Sequence, residues 1–132
     1  MAERVSLDTT FLIDLQKELL AGQEGLAHSF LKKHSNAAIY LSSVALGEFA
    51  EGFAGPEDPV LKRMVAALRI LDIDREVSLV YATNTRNLRW AGRLIGSNDL
   101  WIGSCAVRNR MPLVTRNADH FERIIGLEVI EY

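Results

Sequence analysis

The chain predicts an α/β fold, with a central, mainly parallel sheet flanked by helices, and three observations carry that expectation. Short apolar runs alternate with longer stretches of helical spacing. The segments between successive apolar runs are long enough to act as crossovers, which parallel neighbours require. A length of 132 residues suits one hydrophobic core, so residues 1–132 are expected to form a single domain.

The elements follow in order. Arg4 to Leu7 alternates like a short strand, and Asp8-Thr9-Thr10 offers an N-cap to a helical run from Phe11 to Leu20 that Gly22 ends. A second helix is expected over Gly25 to His34. Ala38 to Leu41 reads as a buried strand, Ser42 or Ser43 caps the helix carrying Glu48, and Gly55-Pro56 with Pro59 marks a loop. Val60 to Leu71 should be helical. Asp74 caps a long helix over Glu76 to Leu94, and Gly96-Ser97-Asn98 breaks the chain before a further helix that starts near Asp99. Pro112 to Thr115 and Leu127 to Ile130 supply the remaining strands.

Composition narrows the function classes. With 48% hydrophobic residues, 24% charged residues and only 3 prolines, the chain is neither disordered nor fibrous. Its first apolar stretch already contains Asp14, and no apolar run approaches the roughly 20 residues of a membrane span. A cytoplasmic protein with no membrane partner is expected. Cys105 is the single cysteine, which excludes an internal disulfide. A net charge of -2 argues against non-specific polyanion binding by the whole surface. Residues 1–80 carry 8 Lys and Arg against 12 Asp and Glu, whereas residues 81–132 carry 7 against 5, and all 7 of those cations are arginine, the cation suited to forked phosphate contacts.

Sites in parallel sheets form outside the carboxyl ends of the strands. That rule selects Asp8 at the end of the first strand and Asp119 beyond the strand that closes at Thr115. It also selects Glu48, one turn beyond Val44, and Asp99, directly before Leu100-Trp101-Ile102. Singly, these acids read as caps, first-turn acids or turn formers. Together they repel: two carboxylates about 5 Å apart at an effective dielectric near 20 cost about 3 kcal/mol, which a bound cation relieves. Oxygen ligands without a histidine or cysteine set favour magnesium or manganese over zinc. Such ions orient water, lower its pKa and stabilise the departing oxygen of a phosphodiester. Asp14, Glu18, Glu57, Asp58, Asp72, Asp74 and Glu76 read as solvated faces and caps.

Four segments in order, Ser6 to Thr10, Ser42 to Glu48, Ile95 to Ile102 and Leu113 to Phe121, resemble the successive motifs of PIN domains. The similarity is greatest to VapC toxins of bacterial and archaeal VapBC toxin-antitoxin pairs, and it spans essentially the whole chain. The resemblance implies a PIN-like three-layer fold and a Mg2+- or Mn2+-dependent endoribonuclease that cleaves with metal-activated water. It also implies a cognate VapB-type antitoxin, a homodimer, a toxin-antitoxin hetero-oligomer and an RNA substrate, with transfer RNA the family-weighted expectation. Carried over by residue, Asp8 and Asp99 match the best-fixed metal ligands and Glu48 the intervening acid. Some relatives place an acid where this chain has Asn117, so either Asn117 or Asp119 completes the set. Thr9 and Thr115 are candidate supporting hydroxyls. Arg86, Arg89 and Arg93, at helical spacing, and Arg116 are candidates for contact with RNA or antitoxin. Trp101 should pack in the core beneath Asp99, and of two readings for Trp90, stacking on a base or packing between helices, packing is the one expected.

Two rival functions share parts of this pattern. A phosphotransfer domain of the receiver or haloacid-dehalogenase type needs a late lysine, and none follows Lys62. A degenerate PIN domain that docks RNA or protein without catalysis is the alternative, and retention of Asp8, Glu48 and Asp99 argues against it.

Overall fold

Five short strands, β1 (Arg4–Leu7), β2 (Ala38–Ser42), β3 (Arg69–Leu71), β4 (Leu113–Val114) and β5 (Val129–Ile130), pair in the order β3-β2-β1-β4-β5. Every pairing is parallel. These features come from a computed structural model that describes residues 3–132. The register is fixed by pairs such as Leu7 with Leu41 and Leu7 with Val114. Because all five strands run one way, their carboxyl ends share one edge, and the residues that follow them meet there.

Helices α1 (Thr9–Ala21), α2 (Leu26–Lys33), α3 (Ser43–Ala50), α4 (Pro59–Val65), α5 (Arg75–Trp90), α6 (Ser97–Arg108) and α7 (Ala118–Phe121) cover the sheet. The core joins Val5, Leu7, Leu41, Leu113 and Val114 from the strands to Phe11, Leu12, Ile102, Ala106 and Phe121 from the helices. Local chemistry sets the helix ends. Asp8, Ser42, Asp58 and Asp74 each accept a backbone N–H at the start of a helix, and Gly22 closes α1 in the left-handed conformation at φ 65°. Glu18 does similar work from a distance: its carboxylate accepts from the amides of Gly25, Ala27 and His28 and bonds the His28 ring, tying the start of α2 to α1.

Three expectations change. The helix foreseen over Val60 to Leu71 stops at Val65, and Arg69–Leu71 instead forms an edge strand on β2, because an open strand edge outcompetes the local helix propensity. The helix foreseen to Leu94 stops at Trp90, where Gly92 at φ 68° and the Arg93 amide cap its last carbonyls. Arg93 therefore lies beyond the helix, and the stripe with Arg86 and Arg89 is interrupted. Trp90 does not pack between helices, being 95% exposed at the end of α5.

Candidate active site

Asp8 is both a helix cap and the most buried acid at the sheet edge. It follows β1 directly, is 2% exposed, and accepts three hydrogen bonds. The Thr9 amide donates to Oδ1 at 2.7 Å, while the hydroxyls of Thr10 and Thr115 donate to Oδ2 at 2.9 and 2.7 Å. Burial pushes the Asp8 carboxyl above its usual range against those three bonds, and repulsion from Glu48 adds to the push. Thr115, fully buried after β4, also accepts from the Asn117 amide at 2.9 Å, so the turn beyond β4 is pinned to the same carboxylate.

Glu48 reaches the edge from α3, the helix that Ser42 starts at the end of β2. The Thr9 hydroxyl donates to its Oε1 at 2.7 Å and the Asn98 side-chain amide to Oε2 at 3.0 Å. Thr9 therefore spaces the two acids, with its amide on Asp8 and its hydroxyl on Glu48. Asp99 stands in the first turn of α6, and its Oδ2 lies 3.3 Å from His120 Nδ1. Burial and then the charge of Asp8 raise the Asp99 carboxyl, with a further contribution from Glu48, while His120 opposes the shift. Three acids from three elements thus feel one another's charge.

All their donors are oxygen atoms, and two of the acids are destabilised as anions, which is the chemistry that suits a hard divalent cation. Among the described residues no group of three or more His, Cys, Asp and Glu side chains is placed closely enough to hold a metal ion. Each of these carboxylates is instead held by protein partners: Thr9, Thr10 and Thr115 on Asp8, Thr9 and Asn98 on Glu48, and His120 on Asp99.

The family model for the PIN domain matches residues 5–127. This chain belongs to the PIN-domain family. It is 31% identical over 97 residues to ribonuclease VapC2 of Rickettsia felis, covering 70% of this chain and 72% of that protein. It is 29% identical over 131 residues to ribonuclease VapC1 of Methanocaldococcus jannaschii, covering 97% of this chain and 88% of the relative. In shape it matches a chain in the crystal structure of VapBC2 from Rickettsia felis bound to a DNA fragment from their promoter, with a TM-score of 0.81, 24% identity and 98% of each chain covered. That match shows the fold.

Within this PIN domain the carboxylates foreseen from sequence separate into two groups. Asp8, Glu48 and Asp99 share one edge, where Thr9 links Asp8 to Glu48 by hydrogen bonds and Asp99, bonded to His120, is coupled to both by charge. Asp119 is exposed on α7, where it lines a polar cavity with Arg116, Asn117, His120 and Glu131. Thr9 and Thr115 act as supporting hydroxyls through the bonds already described. Arg86 and Arg89 are exposed on α5, and Arg93 is exposed beyond it.

Thr10 and Asn98 were not singled out from the sequence, although both flank a selected acid, which was the available clue. Asp14 is not a solvated face residue: it bonds Arg116 Nε at 2.9 Å and the Tyr132 hydroxyl at 2.5 Å, with its side chain 15% exposed. Trp101 is only half-buried, stacking on Tyr81 at 3.7 Å between ring centroids. A larger, apolar cavity of about 390 Å³ between α5 and α6 lies away from the acids and offers them no chemistry.

Proposed function

We propose that this PIN domain is the toxin of a type II toxin-antitoxin pair and a metal-dependent endoribonuclease. The observation that carries the reading is the convergence of Asp8, Glu48 and Asp99 at the carboxyl edge of the sheet, in a chain whose relatives are named ribonucleases. Asp8, Glu48 and Asp99 would hold Mg2+ or Mn2+, with Asp119 of α7 or Asn117 of the turn before it adding an oxygen donor. When bound, such an ion supplies the positive charge that activates water and offsets charge on the phosphodiester.

The chain's own residues prepare the site. Thr9, Thr10 and Thr115 fix the Asp8 carboxylate, and Thr9 and Asn98 fix Glu48, so the acids spend little orientational freedom when a ligand arrives. His120 restrains Asp99 through its ring Nδ1. The partner is a small VapB-type antitoxin, in keeping with the VapBC complexes among the fold's structural relatives, and the toxin is a homodimer within the hetero-oligomer. Arg86, Arg89, Arg93 and Arg116 are available to meet RNA or the antitoxin. The protein works in the cytoplasm, where its RNA substrate, transfer RNA as the leading class, is found. Among the described residues no helix is long and apolar enough to cross a membrane.

The test is cleavage of structured RNA with excess chelator, then with Mg2+ or Mn2+ restored. Cutting should appear only with the metal, leaving a 5′ phosphate and a 3′ hydroxyl, because water and not the ribose hydroxyl attacks. Undiminished cleavage in chelator, or cyclic phosphate ends, would overturn the reading.

A further inference from the structure

Beside the carboxylates lies a polar cavity of about 270 Å³ whose lining includes Arg116, Asn117, Asp119, His120 and Glu131. Two links tie it to the acids. His120 bonds Asp99, and the Asn117 amide bonds the Thr115 hydroxyl that holds Asp8. Arg116 is braced: its Nε meets Asp14, which also accepts from the hydroxyl of Tyr132, and the Tyr132 ring packs edge-on against Phe11 at 4.8 Å. That brace occupies one edge of the guanidinium and leaves its terminal N–H groups without partners among the described residues.

The charge balance says what the cavity suits. Asp14, Asp119 and Glu131 outnumber the single guanidinium, so a phosphate placed here meets surplus negative charge. A neutral group that carries both donors and acceptors is satisfied by both signs at once. In single-stranded RNA, that group is an unstacked base.

We propose that this cavity is a base-recognition subsite that takes a guanine next to the cleaved phosphodiester, an assignment that rests on the nuclease reading above. Guanine presents O6 and N7 as paired acceptors to an arginine fork. Its N1–H and 2-amino groups form an adjacent donor pair for a carboxylate, here that of Glu131. Adenine reverses this pattern, with an amino group in place of O6 and an acceptor at N1. Arg116, oriented by Asp14, reads the first edge, and Glu131 reads the second.

The experiment cleaves a single-stranded RNA pool of random sequence in the presence of Mg2+ and sequences the new ends. Wild-type protein should enrich guanine at one fixed position within a nucleotide or two of the cut. Arg116→Gln should reduce that enrichment roughly 10- to 100-fold, the scale of a lost bidentate base contact. Glu131 is exposed, so Glu131→Gln should fold normally and should also flatten the preference. Replacing the preferred guanine by inosine, which lacks only the 2-amino group, should slow cleavage by wild type and have little effect on Glu131→Gln. Cleavage with no base preference overturns the subsite and leaves the nuclease reading standing. A uniform fall in rate with the base profile unaltered in both variants also overturns it. No metal-dependent cleavage of any sequence by the wild type overturns the nuclease reading and the subsite with it.

Discussion

Replacing Thr115 with valine preserves the size of the side chain and removes its hydroxyl, which isolates what that hydroxyl does. The residue is fully buried, and its Oγ1 donates to Asp8 at 2.7 Å while accepting from the Asn117 amide at 2.9 Å. A hydrogen bond to a charged acceptor contributes about 1.5 to 3 kcal/mol, and a neutral one about 1 kcal/mol. Asn117 is exposed, so water can recover part of the second bond. Thr115→Val should therefore cost about 2 to 4 kcal/mol, on the order of 10 °C in melting temperature for a chain of this size. Thr115→Ser keeps the hydroxyl and should cost only about 1 kcal/mol for a lost methyl. In an Asp8→Asn background the bond becomes neutral, and the valine penalty should shrink by about 1 to 2 kcal/mol. Urea unfolding of the wild type, the single variants and the double variant measures all of these. A valine penalty no larger than that of serine, or one unaltered by Asp8→Asn, would refute the reasoning.

Asp99→Asn should leave the metal-free protein at least as stable as wild type, since burial and the charge of Asp8 already disfavour its anion. Thermal melts in chelator check this, and a clear loss of stability would show that the carboxylate's bond to His120 outweighs the repulsion. Glu18 has the opposite sign. Burial raises its carboxyl, but the bonds from His28, Ala27 and Gly25 outweigh burial and bring it from 4.5 to about 2. Its contribution is therefore complete above the unfolded value near 4.5 and lost as pH falls from there toward about 2. Unfolding measured from pH 7 to pH 2.5 should show a shallower acid decline in Glu18→Gln than in wild type, and parallel curves would contradict the assignment.

The fold was legible where the sequence carried its own punctuation. Asp8, Ser42, Asp58 and Asp74 mark helix starts, and Gly22 marks an end. The strand at Arg69–Leu71 was not legible, because Val60 to Leu71 contains no glycine or proline and its alanines and leucines favour a helix. Only the free edge of β2, a tertiary feature, explains the strand. Gly92 did signal the end of α5, and giving it weight would have separated Arg93 from Arg86 and Arg89.

The site divides in the same way. A general rule about strand ends selected Asp8, Glu48, Asp99 and Asp119, because parallel strands deliver their successors to one edge, and the first three meet there while Asp119 stands exposed on α7. The brace of Asp14, Arg116 and Tyr132 was out of reach: Tyr132 is 118 residues from Asp14, and no local pattern announces such a pairing. The same holds for Glu18, whose helix-facing spacing looked solvated although its partners sit beyond the next turn. Hydrogen bonds between distant segments were the hidden part.

Binding of Mn2+ to the folded protein, read from the loss of the free-ion electron paramagnetic resonance signal, tests most directly whether the three acids form one metal site. Wild type should bind the ion, and Asp8→Asn, Glu48→Gln and Asp99→Asn should each weaken binding by at least about 10-fold, since losing a ligand's charge costs no less than the roughly 10- to 100-fold typical of losing an outer-shell partner. Exposed acids remote from the edge, such as Glu57, supply the control. Equal Mn2+ affinity in wild type and in all three site variants would contradict the account.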